Sequence, residues 1–201
     1  MRKILFIICW ALAGVGLYSC SLDEPSYGKT TSDNYYQKES DIEQALTGAY
    51  LQLRTTWNEY ALNHYFVGDC STDDALKGGG NDGDRAEVRD LSDFTIYTTN
   101  GEVGRRWEIL YRLINRCNDV IYYAPDAIGN EELLKRYANE AKALRAFGYY
   151  CLVTTFGEVP LITTPMQPAE ILQIPRSPLE KVYECIVNDL LMPPHFLQKE
   201  I

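Results

Sequence analysis

Histidine is the scarcest chemical group in this chain: His64 and His195 are the only two among 201 residues. That scarcity removes most histidine-built metal centres and catalytic triads. No C-x-x-C pair occurs, which argues against a zinc site. H-E-x-x-H, G-x-S-x-G and a Walker lysine are missing as well. Basic side chains are outnumbered, 19 against 28 acids, giving a formal net charge of −9. So acidic a surface repels phosphates, and nucleic acid is excluded as a partner. No apolar run reaches the roughly 20 residues that a membrane-spanning helix needs. Cofactor motifs fail on inspection. Gly78-x-Gly80-x-x-Gly83 has dinucleotide spacing, but no strand precedes it, and Asp82 and Asp84 would repel a pyrophosphate. Asp73, Asp74, Asp82 and Asp84 lack the D-x-D-x-D-G spacing of a calcium loop and read as solvated acids. Abundant carboxylates always offer pairs, yet nothing singles out two for glycoside cleavage. No catalytic residue, cofactor or metal ligand is assigned, and the chain reads as a non-enzyme.

What is present is ordinary globular composition, 46% apolar and 23% charged, with 15 tyrosines. The N-terminus reads as an address. Arg2 and Lys3 precede the apolar run Ile4–Leu17, which closes on Leu17-Tyr18-Ser19-Cys20. Basic, apolar and small residues in that order make a secretory signal over 1–19. Ser19 fits the narrow site of a lipoprotein signal peptidase, and Cys20 supplies the sulfur that carries lipid. Cys20 is therefore the expected lipid-attachment residue, and palmitate one expected acyl group. Ser21-Leu22-Asp23-Glu24 opens a polar tether over 20–39. Several acyl chains on one cysteine hold a membrane firmly where a single chain would not.

From residue 40 the pattern becomes helical. Ser40-Asp41-Ile42-Glu43 reads as a capping box, followed by Ile42, Ala45, Leu46, Ala49, Tyr50 and Leu53 at helical spacing. Ala61 to Val67 is a short apolar segment that reads as a second helix. Residues 71 to 101 read as a long polar loop with a short extended piece at Phe94 to Thr98. Asn100 opens the next helix, whose stripe is Val103, Trp107, Leu110, Tyr111, Ile114, Cys117 and Ile121, stopped by Pro125. Asn130 caps the longest helix. Leu134, Tyr137, Ala138, Ala141, Leu144, Gly148 and Leu152 line its buried face, and Gly157 ends it. A connector runs from Val159 to Arg176. Ser177-Pro178-Leu179-Glu180 then starts a last helix reaching Leu190. The class is all-α, built of helical hairpins joined by long loops. Arg105 and Arg106 read as a solvated face, and Trp107 as core. Cys70, Cys117, Cys151 and Cys185 read as structural thiols in preference to disulfide bridges. Cys117, Cys151 and Cys185 stand 34 residues apart, the tetratricopeptide period, although other positions do not keep that register.

Glu140-Ala141-Lys142-Ala143-Leu144-Arg145-Ala146-Phe147-Gly148-Tyr149-Tyr150-Cys151-Leu152-Val153, continuing through Phe156-Gly157-Glu158-Val159-Pro160-Leu161, resembles the signature of the SusD/RagB family. Trp107-x-x-x-Tyr111-x-x-Ile114-Asn115-Arg116-x-Asn118, the capped helix from Ser177 and the tether Cys20-Ser21-Leu22-Asp23-Glu24-Pro25 are similar to it too. The likeness runs to about residue 190. Beyond that, Leu191-Met192-Pro193-Pro194-His195-Phe196-Leu197 leaves the pattern. Full family members are longer, so the resemblance implies that 40–201 is the N-terminal helical domain of a SusD-like fold, incomplete at its C-terminus. It further implies tetratricopeptide-like helix pairs and a surface lipoprotein of the cell outer membrane. Such a protein binds oligosaccharide and works with a SusC-like TonB-dependent transporter in nutrient uptake. A tetratricopeptide-type interaction module, or a peptide-binding family member, is the alternative. For sugar contact the sequence offers Trp57 and Tyr60 beside Asn58 and Glu59, where an exposed ring could stack on a pyranose.

Overall fold

Helix follows helix along the chain because apolar residues recur every three to four positions and side-chain caps mark the starts. The computed structural model describes residues 35–54, 60–81 and 83–191, which fall within one compact unit, Ser32–Ile201. Helices α1 (Glu39–Tyr50), α2 (Tyr60–Gly68), α3 (Ala86–Ser92), α4 (Gly101–Tyr123), α5 (Glu131–Phe156), α6 (Pro168–Ile171) and α7 (Leu179–Leu190) are joined by loops and short 3-10 turns. Among the described residues only two isolated bridges occur, Lys38 with Ile128 and Val159 with Ser177.

The all-α class is as expected, and α4 and α5 form its central hairpin. Asn100 accepts from the N–H groups of Glu102 and Val103, and Asn130 from those of Glu132 and Leu133. Each side chain thus satisfies amides that the first helical turn leaves open. Gly157, at φ 73, closes α5 in a conformation that favours glycine. Gly148 lets α4 approach: a Cβ there would lie 3.0 Å from Ile114 Cγ1. One core layer joins Ile109, Leu110 and Ile114 of α4 to Tyr149 and Leu152 of α5 and Val182 and Ile186 of α7. A second joins Ile42, Leu46 and Ala49 of α1 to Leu113, Cys117 and Val120 of α4 and Leu134 and Ala141 of α5. Helix α4 is therefore buried on a wider arc than its expected stripe, because α1 and α5 both cover it. Each fully buried aliphatic side chain contributes about 1.5–3 kcal/mol.

Several expectations need correction. Helix α1 starts at Glu39, with Lys38 at the cap position, so Ser40 lies in the first turn. Asp41 supplies the cap instead, its carboxylate accepting from Lys38 N–H at 2.9 Å. The chain is tied there by Glu39 N–H to Ile128 O and Ile128 N–H to Gln37 O. Tyr36, counted with the tether, stacks on Tyr123 at 4.4 Å and donates to Asp119. The loop from 71 to 101 contains α3, whose Val88 and Leu91 pack with Phe66 and Cys70 in a third small core. Two apolar residues are too few for a periodic signal, and the burial they gain on α2 decides the conformation. Residues 94–98 carry no strand. Ser177 is not the cap of α7; its N–H is drawn to Val159 O, leaving Pro178 at that position. Arg106 is buried, its Nε donating to Thr155 at 2.9 Å with Nη1 3.2 Å from His64 Nδ1. None of Cys70, Cys117, Cys151 and Cys185 is joined in a disulfide.

Candidate functional site

Cys20 and Trp57 lie outside the described residues; Tyr60 is the first residue of α2, and its side chain is likewise outside them. Among the described residues no group of histidine, cysteine and carboxylate side chains could hold a metal.

The most distinctive surface lies where α4 faces the connector after α5. Trp107 and Tyr111, one turn apart on α4, hold their rings 4.8 Å apart, and Phe156 meets Trp107 edge-on at 5.2 Å. Both α4 rings are half-buried and pack against the first core layer, so Trp107 joins the core's edge and also walls the cavity. Pro160, Ile162 and Met166 form the opposite side, α6 with Leu172 and Ile174 the rim, and exposed Asn115 one lip of a cavity of about 490 Å³. The Tyr111 hydroxyl, donating to Pro160 O at 2.7 Å, spans the floor, and burial raises its pKa. An aromatic wall beside an amide suits the apolar face of a sugar ring, with hydroxyls reaching Asn115. A cavity of about 550 Å³ between the end of α4 and α5 is lined by Ile121, Leu134, Ala138 and Lys142, with no aromatic side chain among its lining residues.

A buried polar lock holds the connector wall. Arg145 Nε and Nη2 donate to the two Asp189 oxygens at 2.7 Å each, and Nη1 donates to Asn118 Oδ1 and Thr163 O at 2.9 Å. Asn118 Nδ2 donates to Ile162 O, while the Tyr149 hydroxyl donates to Ile162 O and accepts from Ile162 N–H. Burial alone would lower the Arg145 pKa, but Asp189 outweighs it and raises it. Burial and the Asp189 charge both push the Cys185 thiol up. Sequence periodicity missed this lock. Its signal was an arginine set among Ala141, Leu144 and Gly148 on a buried face, where an unpaired charge is not tolerated.

The far end of α4 differs. Glu102, buried, lies 3.6 Å from Arg85 Nη1 and from Arg105 Nε, and accepts from Asn63 Nδ2 at 3.2 Å. Asn63 Oδ1 is buried there with no hydrogen-bond partner among the described residues. Arg85 and Phe94, which bracket α3, both carry left-handed backbones, at φ 46 and 55.

The SusD-like family model described as "Starch-binding associating with outer membrane" matches residues 21–201. The chain belongs to the SusD-like family. SusD-like protein P2 of Formosa agariphila is 30% identical over 193 residues, 94% of this chain and 36% of that protein. Among solved structures, a laminarin-binding SusD-like protein superposes with a TM-score of 0.70 at 32% identity, over 77% of this SusD-like chain and 33% of its own. Surface glycan-binding protein A from Bacteroides fluxus gives 0.65 at 29% identity, over 77% and 32%. The chain spans about a third of the length of these relatives.

Proposed function

We propose that this SusD-like chain is a cell-surface lipoprotein that binds oligosaccharide and works with a SusC-like TonB-dependent transporter in the outer membrane. The family match over residues 21–201 carries the reading. The likeness to a laminarin-binding protein and to a surface glycan-binding protein supports the ligand class. The Trp107–Tyr111 groove supplies a surface for it, with Trp57 and Tyr60 as additional sugar contacts from the sequence. Its role is binding, not catalysis.

Isothermal titration with laminarin and soluble starch tests the ligand. Heat is expected from one or both, reduced in Trp107→Ala; no heat from either overturns glycan binding. Palmitate labelling tests the anchor. Label is expected on the parent chain and absent from Cys20→Ser, and equal labelling would remove Cys20 as the attachment site. The transporter is tested by cross-linking on intact cells, where a TonB-dependent receptor should be the main adduct. A protein-interaction role draws support from the exposed Tyr183, Val187 and Leu190 on α7, and peptide heats in place of glycan heats would favour it.

A further inference from the structure

The cavity of about 550 Å³ between the end of α4 and α5 has a chemistry of its own. Ile121 and Leu134 face it from the two helices, and the small side chains of Ala124, Ala127 and Ala138 leave the space between them. With no aromatic side chain in the lining, it offers a sugar ring no stacking face. One wall is held in place beforehand. Lys38 bridges to Ile128, Glu39 Oε2 accepts from Asn130 N–H at 2.7 Å, and a Cβ added at Gly129 would meet Glu39 at 2.5 Å. Ile128, between the lining residues Ala127 and Gly129, is 77% exposed and adds a large apolar side chain at the rim. The polar groups of the lining are few and unevenly placed. Glu131, its one carboxylate, is paired with Lys135 at 2.6 Å. Lys142 lies about 16 Å further along α5. It and Asn139, one turn before it, are half-buried and have no partner among the described residues. Glu140, close by in sequence, is taken by Arg136 at 3.0 Å and by the Tyr50 hydroxyl. An ammonium and an amide left open on an apolar wall are complemented by an anionic acceptor that carries an apolar body.

We infer that this cavity binds a free fatty acid, its alkyl chain lying along Ile121, Leu134 and Ala138 and its carboxylate accepting from Lys142 and Asn139. Each part of the ligand answers a part of the site. Small aliphatic walls suit an unbranched chain, and the apolar area it removes from water drives its entry. One open ammonium matches one negative charge, which a carboxylate supplies and a phosphate dianion exceeds. A peptide segment would bring backbone N–H and C=O groups against walls that leave them unpaired. The inference is independent of the glycan reading: it adds a second ligand class at a separate cavity.

Isothermal titration of the whole chain with dodecanoate, kept below its micelle concentration, tests this. One saturable site is expected, with dodecanol and dodecyltrimethylammonium each bound about 10-fold more weakly or worse. Lys142→Glu should weaken dodecanoate about 10-fold while leaving the thermal midpoint and the laminarin heat as in the parent. Ala138→Phe, which fills the cavity, should abolish dodecanoate binding, and the Lys142 variant decides the matter if that chain fails to fold. No saturable heat with dodecanoate overturns the inference, as does equal affinity for the uncharged or the cationic analogue. Unchanged affinity in Lys142→Glu places the acid elsewhere and overturns the site. Laminarin is titrated separately, so a chain that takes dodecanoate and no glycan removes the glycan reading alone, and the converse removes this inference alone.

Discussion

The two ends of α4 are built on opposite terms. Toward α5 and α7, the Arg145 donors that the lock uses each find an acceptor, Gly148 admits Ile114, and Tyr149 is fully buried with its hydroxyl engaged twice. Toward α3, the backbone is strained at Arg85 and Phe94, Asn63 Oδ1 finds no partner among the described residues, and three large apolar side chains of the loop from 94 to 97 face water. Local propensity, packing and polar satisfaction agree at the first end and conflict at the second. Agreement across levels marks a framework, and conflict marks a place where function was selected against stability. The Trp107–Tyr111 groove lies between these regimes, with aromatic walls held by the framework.

Perturbing each end should reveal the contrast. Arg145→Leu leaves Asp189 charged in the core and removes the donor to Asn118 and Thr163, so a loss of about 3–5 kcal/mol is expected in urea unfolding. A loss below about 1 kcal/mol would show the lock to be slack. Gly148→Val drives a side chain into Ile114 and should cost about 1–3 kcal/mol. Gly80→Ala, where an added Cβ meets nothing within 4 Å, should change stability by less than about 0.5 kcal/mol. Asn130→Ala removes the α5 cap and should lower stability by about 1 kcal/mol. Phe94→Gly reverses the sign: relief of the left-handed strain should raise stability by about 1 kcal/mol, and a fall would place that loop with the framework. The smallest effect is expected at Asp119. Burial raises its pKa above the ordinary carboxylate value, against the opposing pull of the Tyr36 hydrogen bond and Arg116. The folded chain then holds that proton more tightly than the unfolded one, so this group's contribution falls as pH rises from about 4 through the raised value. Asp119→Asn should therefore match the parent below that window and exceed it at neutral pH, read as the urea midpoint across a pH series.

The framework was legible in the sequence wherever a helix carried a long stripe and its own cap. Asn100, Asn130 and Gly157 act where periodicity placed them, and Leu110, Ile114, Leu144 and Leu152 are buried as expected. Helix caps shifted by two residues at Lys38 and by one at Pro178 because distant partners, Ile128 and Val159, claim the backbone there. Helix α3 stayed hidden because its two buried residues depend on α2. Arg145 and Asp189 were invisible to a hydrophobic pattern for a simpler reason: each is polar by type and buried only through the other. Trp107 packs against the core as its stripe position implies, and only the folded connector shows that it walls a cavity too.

The seam at Tyr36 has a mechanical side. The ring stack on Tyr123, the Lys38–Ile128 bridge and the bond from Asn130 N–H to Glu39 Oε2 at 2.7 Å join the first turn of α1 to the end of α4 and the start of α5. Any tug arriving through residue 35 is thereby shared among three helices before α1 can peel away.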